Sequence, residues 1–227
     1  MPFWSYILAA LAAYLLGSIP TGFLAAKAKG FDIRAAGSGN IGATNAMRVL
    51  GKPAGIFVLL MDAFKGYAAC KFLPEPIYNW LIPHFSGFFR YFQDTPAEFQ
   101  IRLYLVAGFF AVLGHNYTCW LKFKGGKGIA TTAGVYLVLA PWAVLIALVV
   151  FVFAVLLTRY ASVGSISAAI ALVATVWAMP PHSLLLGIVT TVLGALAIYK
   201  HKSNIQRLMA GNENRLGGKP KTPEDIK

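Results

Sequence analysis

Apolar segments of about 20 residues recur along this chain, and they limit the folds open to it more than any other feature. A helix of about 20 apolar residues is long enough to cross the ~30 Å hydrocarbon core of a bilayer. Charged residues make up only 12 % of the 227 positions, whereas roughly 25 % is usual in soluble domains. The chain is therefore predicted to be an all-α integral membrane protein that forms one membrane-embedded domain over residues 1–227.

The positions of the apolar runs predict how often the chain crosses the membrane. Five runs are interpreted as single spans, at 3–26, 53–73, 103–121, 163–179 and 183–200. The run 129–158 is too long for one simple span, and it contains Pro141, which interrupts helices because it lacks a backbone N–H. The topology depends on whether this run is counted as one span or as two.

Basic residues decide between the two counts, because Lys and Arg collect on the cytoplasmic side of a membrane. They cluster between the first two spans, after the third span and along the tail, at 27–52, 122–127 and 200–227. Only a break at Pro141 brings all three clusters to one face. The prediction is seven transmembrane helices, with the N-terminus outside and the C-terminus inside.

Two segments have special places in this topology. Residues 129–140 would measure about 18 Å at ~1.5 Å per residue, so this helix is expected to start or stop inside the membrane, buried by protein. Residues 74–102 form the main outer connection, rich in proline and aromatic residues, which is typical of a membrane interface. We assign no chemistry to this connection.

A small polar stretch between the first two spans is the first candidate site. It begins at Gly37, ends at Arg48 and reads GSGNIGATNAMR. Glycines such as Gly39 let the backbone turn tightly and approach a ligand. Backbone N–H groups, flanked by the side chains of Ser38, Asn40, Thr44 and Asn45, make a concave donor surface suited to phosphate. Arg48 adds a bidentate charge. On spacing alone, an ordinary polar loop is the alternative.

A second polar cluster occupies residues 114–131. The turn from Lys124 to Lys127 reads KGGK and places two cations just before a helix, whose N-terminus attracts anions. His115 lies at the end of the preceding span, and its simpler interpretation is a structural histidine with a satisfied hydrogen bond. The simpler explanation for the lysines is that they are retained on the cytoplasmic side.

A third cluster, residues 201–213, directly follows the last span. If that helix continues, His201, Asn204 and Arg207 share one face at a spacing of three. The alternative is a basic tail that touches anionic lipid. All three clusters emerge at one membrane face, which favours a common site that binds anions. Four residues are the candidates that could converge there: Ser38, Arg48, Lys127 and His201.

Asp62 and Lys65 stand out inside the second span, where charges are costly and either pair or line a functional cavity. At a spacing of three they can meet on one helix face. The sequence leaves open whether they form a structural ion pair or contact a substrate.

The three clusters together carry a resemblance to a known family. The patterns GSGNxGxTNxxR at 37–48, GH followed by FKGGKGxAT at 114–131, and HxxNIxRLxxGxE at 201–213 occur in this order among the spans. In these features the chain resembles the bacterial membrane acyltransferases that acylate glycerol 3-phosphate with acyl phosphate, the PlsY family.

The resemblance implies an acyltransferase of the bacterial cytoplasmic (inner) membrane, with its active site at the cytoplasmic face. The sn-1 hydroxyl of glycerol 3-phosphate would attack acyl phosphate and yield lysophosphatidic acid and phosphate, the first step of phospholipid synthesis. By motif position, the site would be carried by residues from all three clusters: Ser38, Arg48, Lys127, His201 and Asn204.

In this mechanism Arg48 and Lys127, with Lys124 nearby, balance the phosphate charges, while His201, oriented by Asn204, takes the hydroxyl proton. A phosphate oxygen of the substrate is the alternative base. No metal-ligand cluster is present, so neither a metal nor a cofactor is expected. The expected partners are the two substrates and membrane lipid, without nucleic acid. The rival hypothesis is a phosphate or organic-anion transporter.

Overall fold

The computed structural model describes residues 3–84, 95–180 and 183–217, and these ranges contain helices and no strand. Eleven α-helices follow one another in these ranges: α1 Phe3–Ser18, α2 Thr21–Lys27, α3 Ala43–Leu50, α4 Lys52–Phe72, α5 Pro74–His84, α6 Pro96–Asn116, α7 Ile129–Leu139, α8 Pro141–Thr158, α9 Ala161–Ala178, α10 Leu184–Lys200 and α11 Lys202–Met209.

The first apolar run contains a break between two helices. It forms α1 and α2, which are separated by Ile19 and Pro20. Pro20 has no N–H to continue the hydrogen-bond ladder of α1. The carbonyl of Ile19, which lies at the break, accepts hydrogen bonds from Lys65 Nζ at 2.8 Å and from the backbone N–H of Thr21 at 3.1 Å. The predicted span at 3–26 is nevertheless present, because Phe3–Lys27 together is long and apolar enough to cross a membrane.

The run 129–158 is broken at the predicted place. Helix α7 ends at Leu139, α8 begins at Pro141, and Ala140 links them. Proline suits the first position of a helix, because the N–H it lacks would have no partner there. Helix α7 has only 11 residues, and it packs backbone to backbone against α4. A Cβ on Gly134 would lie 1.9 Å from the carbonyl oxygen of Ala63.

The outer connection is more helical than the sequence indicated. Helix α5 occupies its first part, and α6 begins at Pro96 rather than at 103. Helix α6 ends at Asn116, but the apolar stretch that contains it reaches Leu121, the predicted end of the third span. The start of α6 has a local signal: Thr95 and Glu98 form a capping box, in which each side chain accepts a hydrogen bond from the other residue's backbone N–H. The aromatic run 85–92 lies outside the described residues.

Four described helical stretches are long and apolar enough to cross a membrane: Phe3–Lys27, Ala97–Leu121, Pro141–Thr158 and Ala161–Ala178. The pair α10–α11, bent by 52°, raises the number to five. Helix α4 has 21 residues but carries Asp62 and Lys65, and α7 is short. The protein is thus an all-helical, multi-pass membrane protein.

Candidate active site

The three polar clusters surround one cavity of about 140 Å³. The first cluster contributes Ser38 and Arg48, the second Lys127, and the third His201 and Asn204. The four candidates expected to converge do lie around a common space. Asn40, Thr44 and Asn45 also line it.

Asn45 organises the first cluster from the first turn of α3, where it is 2 % exposed. Its Nδ2 donates to the carbonyl oxygens of Asn40 at 2.8 Å, Ala36 at 3.0 Å and Ile33 at 3.4 Å. Its Oδ1 accepts from the backbone N–H of Ser38 at 2.8 Å. The side chain predicted to bind phosphate is thus committed to holding the loop that carries Ser38.

Two glycines allow the loop to curve around the Asn45 side chain. Gly37 and Gly39 have φ of +60° and +70°, in the region that favours glycine. A Cβ on Gly37 would lie 2.3 Å from Asn45 Oδ1. Asn40 Oδ1 accepts from the N–H of Gly42 at 2.8 Å, so the loop feeds directly into the N-terminus of α3, which faces the cavity.

Lys127 and Asn204 join the second cluster to the third. Lys127 Nζ donates to Asn204 Oδ1. Burial is the main reason that the pKa of Lys127 is lowered to about 8; the cations Arg207 and Arg48 act in the same direction, and Glu213 opposes them. Lys127 is therefore a cation at neutral pH that loses its proton unusually easily.

Glu213 also lines the cavity, although it was not among the site residues predicted from the sequence. It is 8 % exposed, and Oε1 accepts from Asn204 Nδ2 at 2.7 Å and from Ser162 Oγ at 3.1 Å. Oε2 accepts from Arg207 Nε at 2.8 Å. Its place at the end of the third motif was a signal, but only the fold reveals that it orients Asn204.

His201 follows the last residue of α10 and is 2 % exposed. Its Nδ1 lies 2.7 Å from the carbonyl oxygen of Ala197, and a carbonyl only accepts, so Nδ1 carries a proton. In the neutral ring the lone pair is then on Nε2. Since His201 lines the cavity, it can accept a proton or a hydrogen bond there.

Three predicted site residues are not among the described residues that line the cavity: Gly39, Lys124 and Arg207. Gly39 shapes the turn before it, Lys124 is exposed, and Arg207 is paired with Glu213. Within the described ranges, no group of three His, Cys, Asp or Glu side chains is placed to hold a metal ion.

Asp62 and His115 also line the same cavity. Asp62 Oδ1 lies 2.8 Å from Lys65 Nζ and accepts from Thr21 Oγ1 at 3.1 Å. Of the two possibilities that the sequence left open, the ion pair is present, and it contacts Thr21 and the carbonyl of Ile19 at the break between α1 and α2.

A second cavity, of about 320 Å³, adjoins the polar one between α7, α8, α9 and α10. The two share seven lining residues: Ala43, Thr44, Leu59, Ile129, Ala130, Phe151 and Ala161. The rest of the second lining is almost entirely apolar, including Leu148, Leu172 and Leu193. A ligand with a charged head and a long apolar tail fits the pair of cavities.

Comparison with known sequences agrees with this geometry. Residues 7–211 match the sequence model of the family described as glycerol-3-phosphate acyltransferase. The protein of that name in Geotalea daltonii is 44 % identical to this chain, over 92 % of this chain and 97 % of the relative. The one in Geobacter metallireducens is 50 % identical, over 92 % of this chain and 97 % of the relative.

Two crystal structures of PlsY (YgiH), an integral membrane glycerol 3-phosphate acyltransferase, are also similar. The glycerol 3-phosphate form has a TM-score of 0.79 and 37 % identity, over 94 % of this chain and 96 % of that chain. The lysophosphatidic acid form has a TM-score of 0.76 and 36 % identity, with the same coverage. These matches do not support the transporter hypothesis. With its motifs, its fold and its paired cavities, the chain belongs to the glycerol-3-phosphate acyltransferase family.

Proposed function

We propose that this enzyme transfers an acyl group from acyl phosphate to the sn-1 hydroxyl of glycerol 3-phosphate and releases lysophosphatidic acid and phosphate. The observation that carries the proposal is the cationic polar cavity that opens into an apolar one. A phosphorylated head and a fatty chain require these two environments side by side. The acceptor and product named for the similar structures support the same reaction.

The polar cavity would hold the phosphate groups of both substrates. Arg48 and Lys127 supply the positive charge, and their partial burial strengthens the attraction relative to bulk water. Ser38, Asn40 and Thr44 add donors beside the N-terminus of α3. Lys124 and Arg207 act from outside the cavity. Lys124 contributes positive electrostatic potential, and Arg207 acts through its ion pair with Glu213.

The acyl donor is a mixed anhydride, so no acyl-enzyme is required. The sn-1 oxygen attacks the acyl carbon and forms the new ester bond. The bond from that carbon to the phosphate oxygen breaks, and phosphate leaves with the electron pair. Positioning of the two substrates and electrostatic stabilisation of the transition state supply the acceleration.

The hydroxyl proton has two acceptors that fit the geometry. His201 presents Nε2 to the cavity, because Nδ1–H is committed to Ala197. The other acceptor is a phosphate oxygen of the donor. His201→Gln separates them: loss of a general base lowers kcat by about 10²–10⁴, whereas loss of a binding contact chiefly raises KM.

The proposal includes the topology of the enzyme in the bacterial cytoplasmic membrane. Helices α4 and α7 would cross with the four long apolar stretches and α10, which makes seven spans. The N-terminus is then outside, and the three polar clusters face the cytoplasm, where glycerol 3-phosphate is available. The apolar cavity would receive the acyl chain from the surrounding lipid.

An assay with purified protein, glycerol 3-phosphate and palmitoyl phosphate tests the proposal. Phosphate and lysophosphatidic acid should appear in equal amounts, and palmitoyl-coenzyme A should not replace palmitoyl phosphate. Lys127→Ala should lower kcat/KM by about 10²–10³, while Lys29→Ala, which removes an exposed cation outside the cavity, should leave it unchanged. Unchanged turnover in both Lys127→Ala and His201→Ala would contradict the site assignment.

A further inference from the structure

The residues that follow α11 bind to the start of α9 in a regular antiparallel register. Three residues of the segment 213–216 each hydrogen-bond one residue of 159–162, and the pairs run in opposite directions along the two stretches: Glu213 with Ser162, Arg215 with Tyr160, and Leu216 with Arg159. The donor–acceptor distances are 3.1, 3.2 and 2.8 Å in that order. The guanidinium of Arg215 also lies over the Tyr160 ring, 5.6 Å from its centroid. We call residues 213–216 the strap, because these contacts hold them against the link between α8 and α9.

The strap lies across the boundary between the two cavities. Glu213 and Asn214 line the polar cavity, whereas Leu216 lines the apolar one. Ala161, which belongs to the stretch that the strap contacts, lines both cavities. The strap therefore forms part of the wall at the junction where the polar cavity opens into the apolar cavity.

Leu216 lies at the shallow end of the apolar cavity, next to this junction. Farther from the junction the cavity is lined by Ala168 and Leu172 of α9, and Leu172 is about 16 Å along the helix from Ala161 at ~1.5 Å per residue. Leu216 instead contacts Arg159, which precedes α9. It is half-buried and is the one apolar side chain of the strap. The strap thus presents a single hydrocarbon group to the junction.

The junction is where the reacting bond of an acyl phosphate belongs. With the phosphate group in the polar cavity and the fatty chain in the apolar one, the acyl carbon that joins them lies between the two. Water competes with the sn-1 hydroxyl for this carbon. The water oxygen would bond to the acyl carbon, the bond from that carbon to the phosphate oxygen would break, and one water proton would pass to the departing phosphate, which yields free fatty acid and phosphate. Exclusion of water from an active site prevents such side reactions.

We propose that Leu216 keeps water away from the acyl carbon of the bound donor and thereby makes the enzyme specific for glycerol 3-phosphate over water as acceptor. This inference rests on the proposed function. Leu216 takes no part in bond formation. Its side chain occupies space that water would otherwise fill, and the contacts of Glu213 and Arg215 hold it in place. The match to the family's sequence model ends at residue 211, before the strap begins.

Leu216→Ser tests the inference, because a small side chain with a hydroxyl admits water where the leucine excludes it. With purified protein, palmitoyl phosphate and saturating glycerol 3-phosphate, the ratio of free palmitate to lysophosphatidic acid is measured, after subtraction of the palmitate released without protein. This ratio should rise by about tenfold or more relative to the wild type, the effect of one altered apolar contact in a binding pocket. Leu216→Met, which keeps an apolar side chain of similar volume, should retain the wild-type ratio.

The ratio separates this role from a structural one. If Leu216 only stabilised the fold or bound the fatty chain, its loss would slow both reactions equally, and an unchanged ratio in Leu216→Ser would overturn the inference. Wild-type protein that releases palmitate as fast as it forms lysophosphatidic acid would overturn it as well. Met209→Ala, at an 85 % exposed position of α11 outside both cavity linings, is the control and should behave as the wild type.

Arg215→Ala is a second variant that leaves the cavity lining intact. Arg215 is exposed and stands outside both linings, so its replacement weakens only the hold on Leu216, and the ratio of palmitate to lysophosphatidic acid should rise about twofold or more. If the melting midpoint shows that Leu216→Ser does not fold, an unchanged ratio in Arg215→Ala would overturn the inference. Failure of the proposed function looks different: the wild-type protein would then form no lysophosphatidic acid from palmitoyl phosphate.

Discussion

Lys127 is a partly buried cation that also contacts the third cluster. It lies in the turn before α7, its Nζ donates to Asn204, and its pKa is lowered to about 8. Below that pH the ammonium attracts phosphate. As pH rises through about 8, the proton is lost and the attraction fades.

We therefore expect kcat/KM for glycerol 3-phosphate to fall as pH rises from 7 to 9.5, approaching tenfold per pH unit well above the pKa. Lys127→Arg keeps its charge throughout this range, so its profile should be flatter even if its rate is lower. A decline of the same steepness in Lys127→Arg would assign the titration to another group.

Asn45 is the residue on which the shape of the first cluster depends. Asn45→Ala removes the hydrogen bonds to Ile33, Ala36, Asn40 and Ser38, and we expect it to lower the free energy of unfolding by roughly 2–4 kcal/mol. The melting midpoint measures the change. Thr44→Ala, at the exposed neighbouring position, should leave the midpoint nearly unchanged, and equal midpoints for both variants would contradict this role.

At the scale of elements, the crossing of α4 and α7 positions one wall of the site. Helix α7 begins at the cavity, and its backbone lies directly on α4 at two glycines: a Cβ on Gly66 would lie 2.2 Å from the carbonyl oxygen of Thr131, and one on Gly134 1.9 Å from that of Ala63. Small residues permit this close approach between membrane helices.

Gly66→Ala should therefore destabilise the protein by about 1–3 kcal/mol and reduce activity, because α7 must move away from α4. The expected sign is informative, since the same change in an unpacked helix stabilises it by ~1 kcal/mol. Leu60→Ala on the same helix, at a 62 % exposed position, is the matched control. A raised melting midpoint in Gly66→Ala would show that the two helices do not touch at this point.

The segment after α11 is a second element with a structural task. Glu213 receives hydrogen bonds from Ser162, Asn204 and Arg207, and the N–H of Leu216 donates to the carbonyl of Arg159 at 2.8 Å. The segment thus ties α11 to the start of α9. Leu216 also lines the apolar cavity.

Glu213→Gln preserves shape but removes the charge that balances Arg207 and supports Lys127. We expect at least a tenfold loss of kcat/KM and a lower melting midpoint. Glu75→Gln, which breaks the partly exposed ion pair of Glu75 with Lys71 at 2.7 Å, is the control and should have little effect. Similar behaviour of the two variants would argue against an organising role for Glu213.

At the scale of the whole molecule, the exposed surface is that of a protein surrounded by lipid. Helix α8 is the clearest case, because Leu156 and Leu157 are 73 % and 69 % exposed. Such side chains favour hydrocarbon over water, while the polar groups gather around one cavity. This segregation follows from the cost of placing unpaired polar groups in a bilayer.

The proposed orientation is tested with single cysteines in a background without Cys70 and Cys119, neither of which is in a disulfide. In sealed spheroplasts, a membrane-impermeant maleimide should label His84→Cys from outside. It should label Lys29→Cys and Lys202→Cys, all at exposed positions, only after lysis. Labelling of Lys29→Cys in sealed spheroplasts would reverse the orientation.

Much of this architecture was predictable because it depends on local chemistry. Hydropathy identifies membrane helices without knowledge of their neighbours, and a proline in the interior of an apolar run, such as Pro141, interrupts the helix there. Pro20 carried the same signal inside the first run. The three motifs contain most of the polar residues that line the cavity, because polar side chains near the ends of membrane spans avoid contact with lipid.

The remaining features depend on contacts between residues far apart in the chain. That Glu213 reaches Ser162, or that Lys65 holds the carbonyl of Ile19, follows from how helices pack and not from any local pattern. The apolar cavity likewise exists only as the space between four helices. The sequence by itself determined the membrane class, the helix break at Pro141 and the set of candidate residues. Tertiary structure alone decided which of them meet, because burial and partnership are properties of the packed chain.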